Sequence, residues 1–298
     1  MGVRTDATPP FSATDDTIDS NPAGGATLSP DAARVALWRS TQLGRSSHEL
    51  WLVDVVRNTS TRFATDPEGD MPAWSADGRE LYFMLGTRGA SLNRKAVDGN
   101  RPAETLRRSG TSDGPLLAAG GIPMDATSDG RFLVFAAEGN RTALDLWLQP
   151  LTAGAKAMAI VQQDFDQTDG RPSPDGRWLA YVSNESGIDE VFLSSLTKDP
   201  ATGAPVLGSK VLVSSGGGMS PRWRRDGREL FYQSNGAVMA VTVDGAPVGT
   251  PTELFRVPGI QRQWSVSADG QRFLVAAPVG RSAPTFTVVV NWQSALKH

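Results

Sequence analysis

Chemistry on a polypeptide needs a nucleophile beside a base, a set of metal ligands, or cations gathered on one face, and this sequence offers a short candidate for each. Gly110-Thr-Ser-Asp-Gly114 fits the G-x-S-x-G spacing that presents a serine on a strained strand-to-helix elbow in hydrolases. No helical periodicity follows it, and its base would have to be His48 or His298, the only histidines, so the match reads as coincidence. Ser195-Leu-Thr-Lys198 and Ser294-Ala-Leu-Lys297 fit S-x-x-K, in which a lysine activates a serine. The first falls at a strand end and the second at the chain end, and both read the same way. Asp164, Asp166 and Asp169 before Gly170 gather carboxylates as a calcium loop does, but without EF-hand spacing, which suits a solvated loop between repeats. Arg222-Trp-Arg-Arg225 with Arg228 places positive charge beside an aromatic face, the combination used for phosphates and nucleic acids. Trp223, however, also fills a repeated core position. Cysteine is absent, which removes thiolate catalysis, disulfides and cysteine zinc sites. The expectation is a non-enzyme with no catalytic residue, no metal and no cofactor.

The elements that hold these residues follow from composition and repetition. With 298 residues, 39% hydrophobic and 20% charged, the chain reads as globular, with material for a large core. The 29 basic and 32 acidic residues leave a formal charge of −3, so no overall field favours nucleic acid or an anionic membrane, and neither partner is expected. Met1 to Asn21 is polar and lacks the basic and apolar regions of a signal peptide. No run approaches the roughly 18 apolar residues of a membrane span.

Six segments look alike: Leu28-Ser-Pro-Asp-Ala, Trp74-Ser-Ala-Asp-Gly, Ala126-Thr-Ser-Asp-Gly, Pro172-Ser-Pro-Asp-Gly, Trp223-Arg-Arg-Asp-Gly and Val266-Ser-Ala-Asp-Gly. Their aspartates, at 31, 77, 129, 175, 226 and 269, are spaced by 46, 52, 46, 51 and 43 residues, the length of one propeller blade plus variable loops. Each segment reads as a tight turn, and Asp77-Gly78, Asp129-Gly130, Asp175-Gly176, Asp226-Gly227 and Asp269-Gly270 are structural turn residues. After each aspartate the fourth, fifth and sixth residues are almost all apolar, so both faces of the strand are covered. An open sandwich would alternate with polar residues, whereas a propeller stacks every sheet between two others. The expectation is an all-β, six-bladed β-propeller of four-stranded antiparallel blades spanning residues 21–298. Only five units show a fourth strand, which leaves residues 1–20 as an N-terminal tail or a ring-closing strand, the latter at Ser12–Asp19.

Three stretches, Ser173-Pro-Asp-Gly-Arg-Trp-Leu-Ala-Tyr-Val-Ser-Asn-Glu-Ser-Gly187, Gly216-Gly-Gly-Met-Ser-Pro-Arg-Trp-Arg-Arg-Asp-Gly-Arg-Glu-Leu-Phe-Tyr232 and Thr287-Val-Val-Val-Asn-Trp292, resemble the TolB-type propeller repeats attached to bacterial serine/threonine kinases. The resemblance runs from about Asp66 to the end, and the first unit diverges, with Ala32 in the glycine position. It implies an interaction or sensory domain, placed outside the membrane in the periplasm while a kinase lies inside. The absence of a signal peptide is equally compatible with the cytoplasm. No G-x-G-x-x-G loop or H-R-D is present, and Asp164-Phe165-Asp166 is not D-F-G, so phosphoryl transfer by this chain is not expected. The chain is either a free-standing propeller or a fragment of a longer kinase.

In a propeller the loops leading into the innermost strands converge on the central channel, with the Asp-Gly turns at the opposite end. That geometry nominates Asp70, Asp169, Arg171, Met219, Arg222, Arg262 and Gln263, together with Asn184, Glu185 and Ser186, as a channel mouth. Their mixed charge suits a protein or peptide ligand better than a phosphate polymer. The expectation is a monomeric, non-catalytic scaffold that binds such a partner; the alternative is a propeller hydrolase or lyase using channel carboxylates.

Overall fold

The computed structural model describes residues 25–40, 48–65, 72–85, 91–108, 121–138, 144–245, 248–257, 264–279 and 282–290. Each repeat folds as one antiparallel meander. The first sheet is β1 (Gly25–Leu28), β2 (Arg34–Ser40), β3 (His48–Asp54) and β4 (Thr59–Thr65); the second is β5 (Ala73–Trp74), β6 (Glu80–Leu85), β7 (Ser91–Ala96) and β8 (Glu104–Arg108). The third is β9 (Ile122–Ala126), β10 (Phe132–Ala137), β11 (Asp145–Pro150) and β12 (Met158–Val161); the fourth is β13 (Gln167–Pro172), β14 (Trp178–Ser183), β15 (Glu190–Lys198) and β16 (Pro205–Leu212). The fifth is β17 (Met219–Trp223), β18 (Glu229–Ser234), β19 (Ala237–Thr242) and β20 (Thr252–Arg256), and the last is β21 (Trp264–Val266), β22 (Arg272–Val279) and β23 (Ser282–Val290).

The chain is thus an all-β propeller of four-stranded antiparallel sheets, with one correction to the expected count. Five blades are complete rather than six, because the last sheet has three strands among the described residues. Ser12–Asp19 lies outside the described residues. In the fourth sheet β15 runs on to Lys198 and the chain turns back through Asp199, so that β16 already begins at Pro205.

The turns between first and second strands share one hydrogen-bond scheme. In the fourth sheet Ser173 Oγ donates to Asp175 Oδ1 at 2.6 Å and accepts from Trp178 N at 2.9 Å, while Asp175 Oδ1 accepts from Arg177 N at 3.0 Å. In the fifth, Arg224 Nε takes the serine's place on Asp226 Oδ1 at 2.8 Å. The residue after each aspartate is left-handed: the five glycines have φ between 66° and 73°, and Ala32 adopts 58°.

Burial follows the two-face pattern. Leu81, Leu133, Leu179, Leu230 and Phe273 are 0% exposed, and the next residue along, from Ala36 to Leu274, is buried in every sheet. Six apolar cores form, each between successive sheets. The one formed by Ala26, Val35, Val53 and Leu274 packs the last sheet on the first, beside a hydrogen bond from Leu28 N to Ser265 Oγ at 3.1 Å. Trp74 and Trp223 occupy matching positions and make matching bonds, each donating Nε1 to a carbonyl of the preceding sheet, Thr27 at 3.1 Å and Arg171 at 2.9 Å.

Candidate functional site

The first strands β1, β5, β9, β13, β17 and β21 surround a cavity of about 350 Å³ that opens at the Asp-Gly turns. Two rings line it. The outer ring is the residue just before each turn aspartate: Pro30, Ala76, Ser128, Pro174, Arg225 and Ala268. The inner ring is the residue four before it: Thr27, Ala73, Asp125, Arg171, Arg222 and Ser265. This cavity therefore opens at the end opposite to the mouth nominated from sequence, whose loops at 66–71 and 258–263 lie outside the described residues, and the unrepeated chemistry lies in the inner ring.

Arg171 and Arg222 hold this position in adjacent blades. Arg171 donates Nη1 to the carbonyl of Met124, and Arg222 donates Nε to the carbonyl of Trp264 at 2.9 Å and Nη1 to that of Pro221 at 2.7 Å. The Arg222 guanidinium lies 6.0 Å from the centre of the Trp264 ring. Asp169 is buried behind them, with Oδ1 3.9 Å from Arg171 Nη2 and Oδ2 accepting from Ser220 Oγ at 3.5 Å. Burial pulls Arg222 down to about 9, with the charge of Arg171 adding to the effect and Asp169 and Asp125 opposing it. It stays cationic at neutral pH. Burial raises the Asp125 carboxyl above its usual range, against the attraction of Arg171 and Arg222.

The nominated residues separate into three groups. Arg171 and Arg222 come together in the channel, with Asp169 buried behind them. Asn184 and Glu185 do not join them. Asn184 bonds Asp166, and Glu185 pairs with Lys210 at 2.6 Å in an outer groove lined also by Asp145, Asp164 and Phe165. Asp70 and Arg262 lie outside the described residues, as do Gln263, Gly110–Gly114 and Ser294–Lys297. The loop that carries Asn184 follows β14 at the end opposite the Asp175-Gly176 turn, beside Asp166 at the entry to β13, which is why it misses a cavity that opens at the turns.

The other motifs disperse as well. Lys198 reaches Asp129 at 3.5 Å while Ser195 Oγ meets Ser209 Oγ at 3.2 Å, so the serine and lysine of that S-x-x-K are not a pair. Asp166 faces Asn184 and Asp169 faces Ser220, which splits the aspartate cluster. Arg224 serves the turn through Asp226 and Glu229, and Arg225 crosses the mouth to the carbonyl of Pro30 at 2.9 Å. Sequence reasoning missed Ser265, Thr27 and Arg225 as lining residues. Counting back from each turn aspartate finds them.

The fold is that of TolB-type β-propellers. Over 88% of this chain and 62% of the other, it superposes on TolB from Acinetobacter baumannii with a TM-score of 0.65 at 15% identity. A structure described as putative TolB from Agrobacterium tumefaciens matches with a TM-score of 0.61 at 14% identity, covering 90% of each chain. A gluconolactonase from Xanthomonas campestris matches with a TM-score of 0.66 at 15% identity, covering 92% of this chain and 87% of its own. At these identities the likeness is one of fold, and the chain spans less than two thirds of the A. baumannii protein. No family model and no curated protein matches the sequence.

Proposed function

We propose that this propeller is a non-catalytic recognition module that takes a protein or peptide partner into the channel mouth at its Asp-Gly face. The observation that carries the reading is the pair of arginines from adjacent blades in a concave site whose other inner-ring members are small or singly acidic. Rigid blades supply the frame and the inner ring supplies the variation, as expected where a scaffold carries function. The similarity to TolB supports the reading at the level of fold. Photo-crosslinking residues at Ala76 and Ala268 should then trap a polypeptide in the producing cell while the same residue at Phe165, in the outer groove, traps none. Trapping from Phe165 alone would place the interface in that groove.

A propeller hydrolase or lyase is the second reading, and the half-buried Asp125 in the cavity beside two arginines is the observation in its favour, since a carboxyl raised by desolvation is what a general acid needs. Turnover of an aldonolactone or an acidic sugar by the purified chain, lost in Asp125→Asn, would establish that reading over the first.

We also propose that the three-stranded sheet is a sixth blade completed by the N-terminal segment around Ser12–Asp19 on the open edge of β23. Deleting residues 1–20 should lower the melting temperature by opening the ring; an unchanged melting temperature would leave that segment a tail.

A further inference from the structure

The Asp-Gly end of the channel holds an arrangement that neither the repeat nor the core requires. The inner-ring position is Thr27, Ala73, Asp125 or Ser265 in four blades, so an arginine there is not demanded by folding. In the two blades that carry one, the first strand is distorted in the same way. Asp169 (φ 51°) and Ser220 (φ 53°) sit in the left-handed region two residues before Arg171 and Arg222. The register with the second strand slips between Thr168 and Arg171 and between Met219 and Arg222. Among the described residues, no other first strand contains a non-glycine residue with positive φ. A bulge re-aims the side chain that follows it, and backbone strain persists where the surroundings impose it. Twice repeated, in neighbouring blades, it turns two guanidiniums into one cavity.

We infer that Arg171 and Arg222 form a two-blade seat for a single carboxylate group, an inference that rests on reading the channel mouth as the recognition site. Both guanidiniums are held by main-chain carbonyls, which fix their planes, with Asp169 and Asp125 as the negative charges nearby. Neither makes a hydrogen bond to a carboxylate among the described residues: Asp169 Oδ1 stops 3.9 Å short of Arg171 Nη2, and Asp125 Oδ1 bonds the amide of Ala126 at 3.0 Å. Arg171 Nε is buried with no hydrogen-bond partner among those residues. A planar anion between the two forks satisfies these donors and separates two like charges. Asp125 lines the same cavity and Asp169 lies 3.9 Å from Arg171 behind it, so a second negative charge on the ligand is opposed; a monoanionic carboxylate fits and a phosphate dianion does not. The carboxylate can come from an acidic side chain of a peptide or from a sugar acid, and the serines, threonine and tryptophans of the lining accept either.

The test is titration calorimetry with four probes, N-acetyl-Gly-Glu-Gly-amide, its Gln counterpart, D-galacturonate and inorganic phosphate. They are titrated into the whole chain and into R171Q, R222Q, A268W and the remote control R62Q. The expected result is binding of the Glu peptide and not the Gln peptide, weakened at least tenfold in R171Q and in R222Q, unchanged in R62Q and lost in A268W. Because Arg171 is buried and R171Q could misfold, a wild-type measurement accompanies it: the bound Glu peptide should protect Arg171 and Arg222 from phenylglyoxal, read by peptide mapping. Equal binding of Glu and Gln peptides, preference for phosphate, absence of binding by every probe, or failure to protect both arginines overturns the seat. Binding that survives both arginine variants yet is lost in A268W overturns the seat and leaves the channel reading standing. Binding that survives A268W overturns both. Binding of galacturonate alone keeps the seat, assigns it to a sugar acid, and removes the peptide partner.

Discussion

The six turns make a graded experiment on one backbone conformation. Ala32 adopts φ 58° where the other five repeats have glycine, and its amide donates to the Ser29 carbonyl at 2.8 Å as Gly176 does to Ser173 at 2.9 Å. A left-handed conformation costs a non-glycine residue about 1–2 kcal/mol, and glycine's extra freedom in the unfolded chain gives back about 0.5–1 kcal/mol. Ala32→Gly should therefore stabilise the fold by about 0.5–1 kcal/mol. Gly130→Ala is the reverse experiment, because an added Cβ meets nothing within 4 Å and only the conformation is charged; it should destabilise by the same amount. Gly270→Ala adds a clash, since its Cβ would lie 2.9 Å from Arg224 Cδ and 3.3 Å from the buried Phe231 ring, and should cost about 1 kcal/mol more. Gly176→Val should cost about 1 kcal/mol or more, since a β-branched side chain suits positive φ least. Melting temperature followed by circular dichroism is sufficient, at about 2–4 °C per kcal/mol in a chain of this size. A loss of stability in Ala32→Gly together with a gain in Gly130→Ala would refute the shared left-handed turn.

Leu179→Ala and Leu230→Ala, both 0% exposed and packed between sheets, should each cost about 2–5 kcal/mol in chemical denaturation; a loss under about 1 kcal/mol would deny the tight inter-sheet packing. The turn aspartates are held below the ordinary value of 3.8, by the hydrogen bonds of Ser29, Ser75, Arg224 and Ser267 at Asp31, Asp77, Asp226 and Asp269; at Asp129 and Asp175, where burial opposes the shift, hydrogen bonds of the turn still win. A depressed carboxylate contributes stability that is present above its unfolded value and lost as pH falls through the folded one. Stability should thus be flat from neutrality to about pH 5 and fall below about pH 4, and Asp77→Asn should remove part of that fall. Asp125 has the opposite sign, its folded value being raised by burial, so its charge opposes folding at neutral pH and Asp125→Asn should raise the melting temperature there, with the difference shrinking as the wild type protonates in acid. A difference that grows in acid would contradict the buried placement of this carboxyl.

The repeat was legible because the turn has strict chemistry and the strand after it is apolar on both faces. Leu133, Leu179 and Leu230 could be assigned to inter-sheet cores from spacing alone. The site was only half legible. Arg171 and Arg222 were nominated as channel residues, but for the end opposite the Asp-Gly turns, since spacing fixes which strand a residue occupies and not which end of the channel it faces. Asn184 and Glu185 share polarity with the cavity residues, but their loop lies at the opposite end of the strands from the Asp-Gly turns. The bulges at Asp169 and Ser220 left no sequence signal, because neither residue type marks a left-handed conformation in the way glycine does.

The central claim is that recognition occurs at the Asp-Gly mouth of the channel. Ala76 and Ala268 stand in the outer ring on the second and last sheets, and neither side chain belongs to an apolar core, so tryptophan at both positions narrows the mouth while leaving the cores intact. The decisive measurement is the affinity of a partner trapped from this mouth for Ala76→Trp/Ala268→Trp, with the melting temperature recorded on the same sample. Loss of binding with an unchanged melting temperature is the expected result; full affinity in the double variant would move recognition away from this mouth.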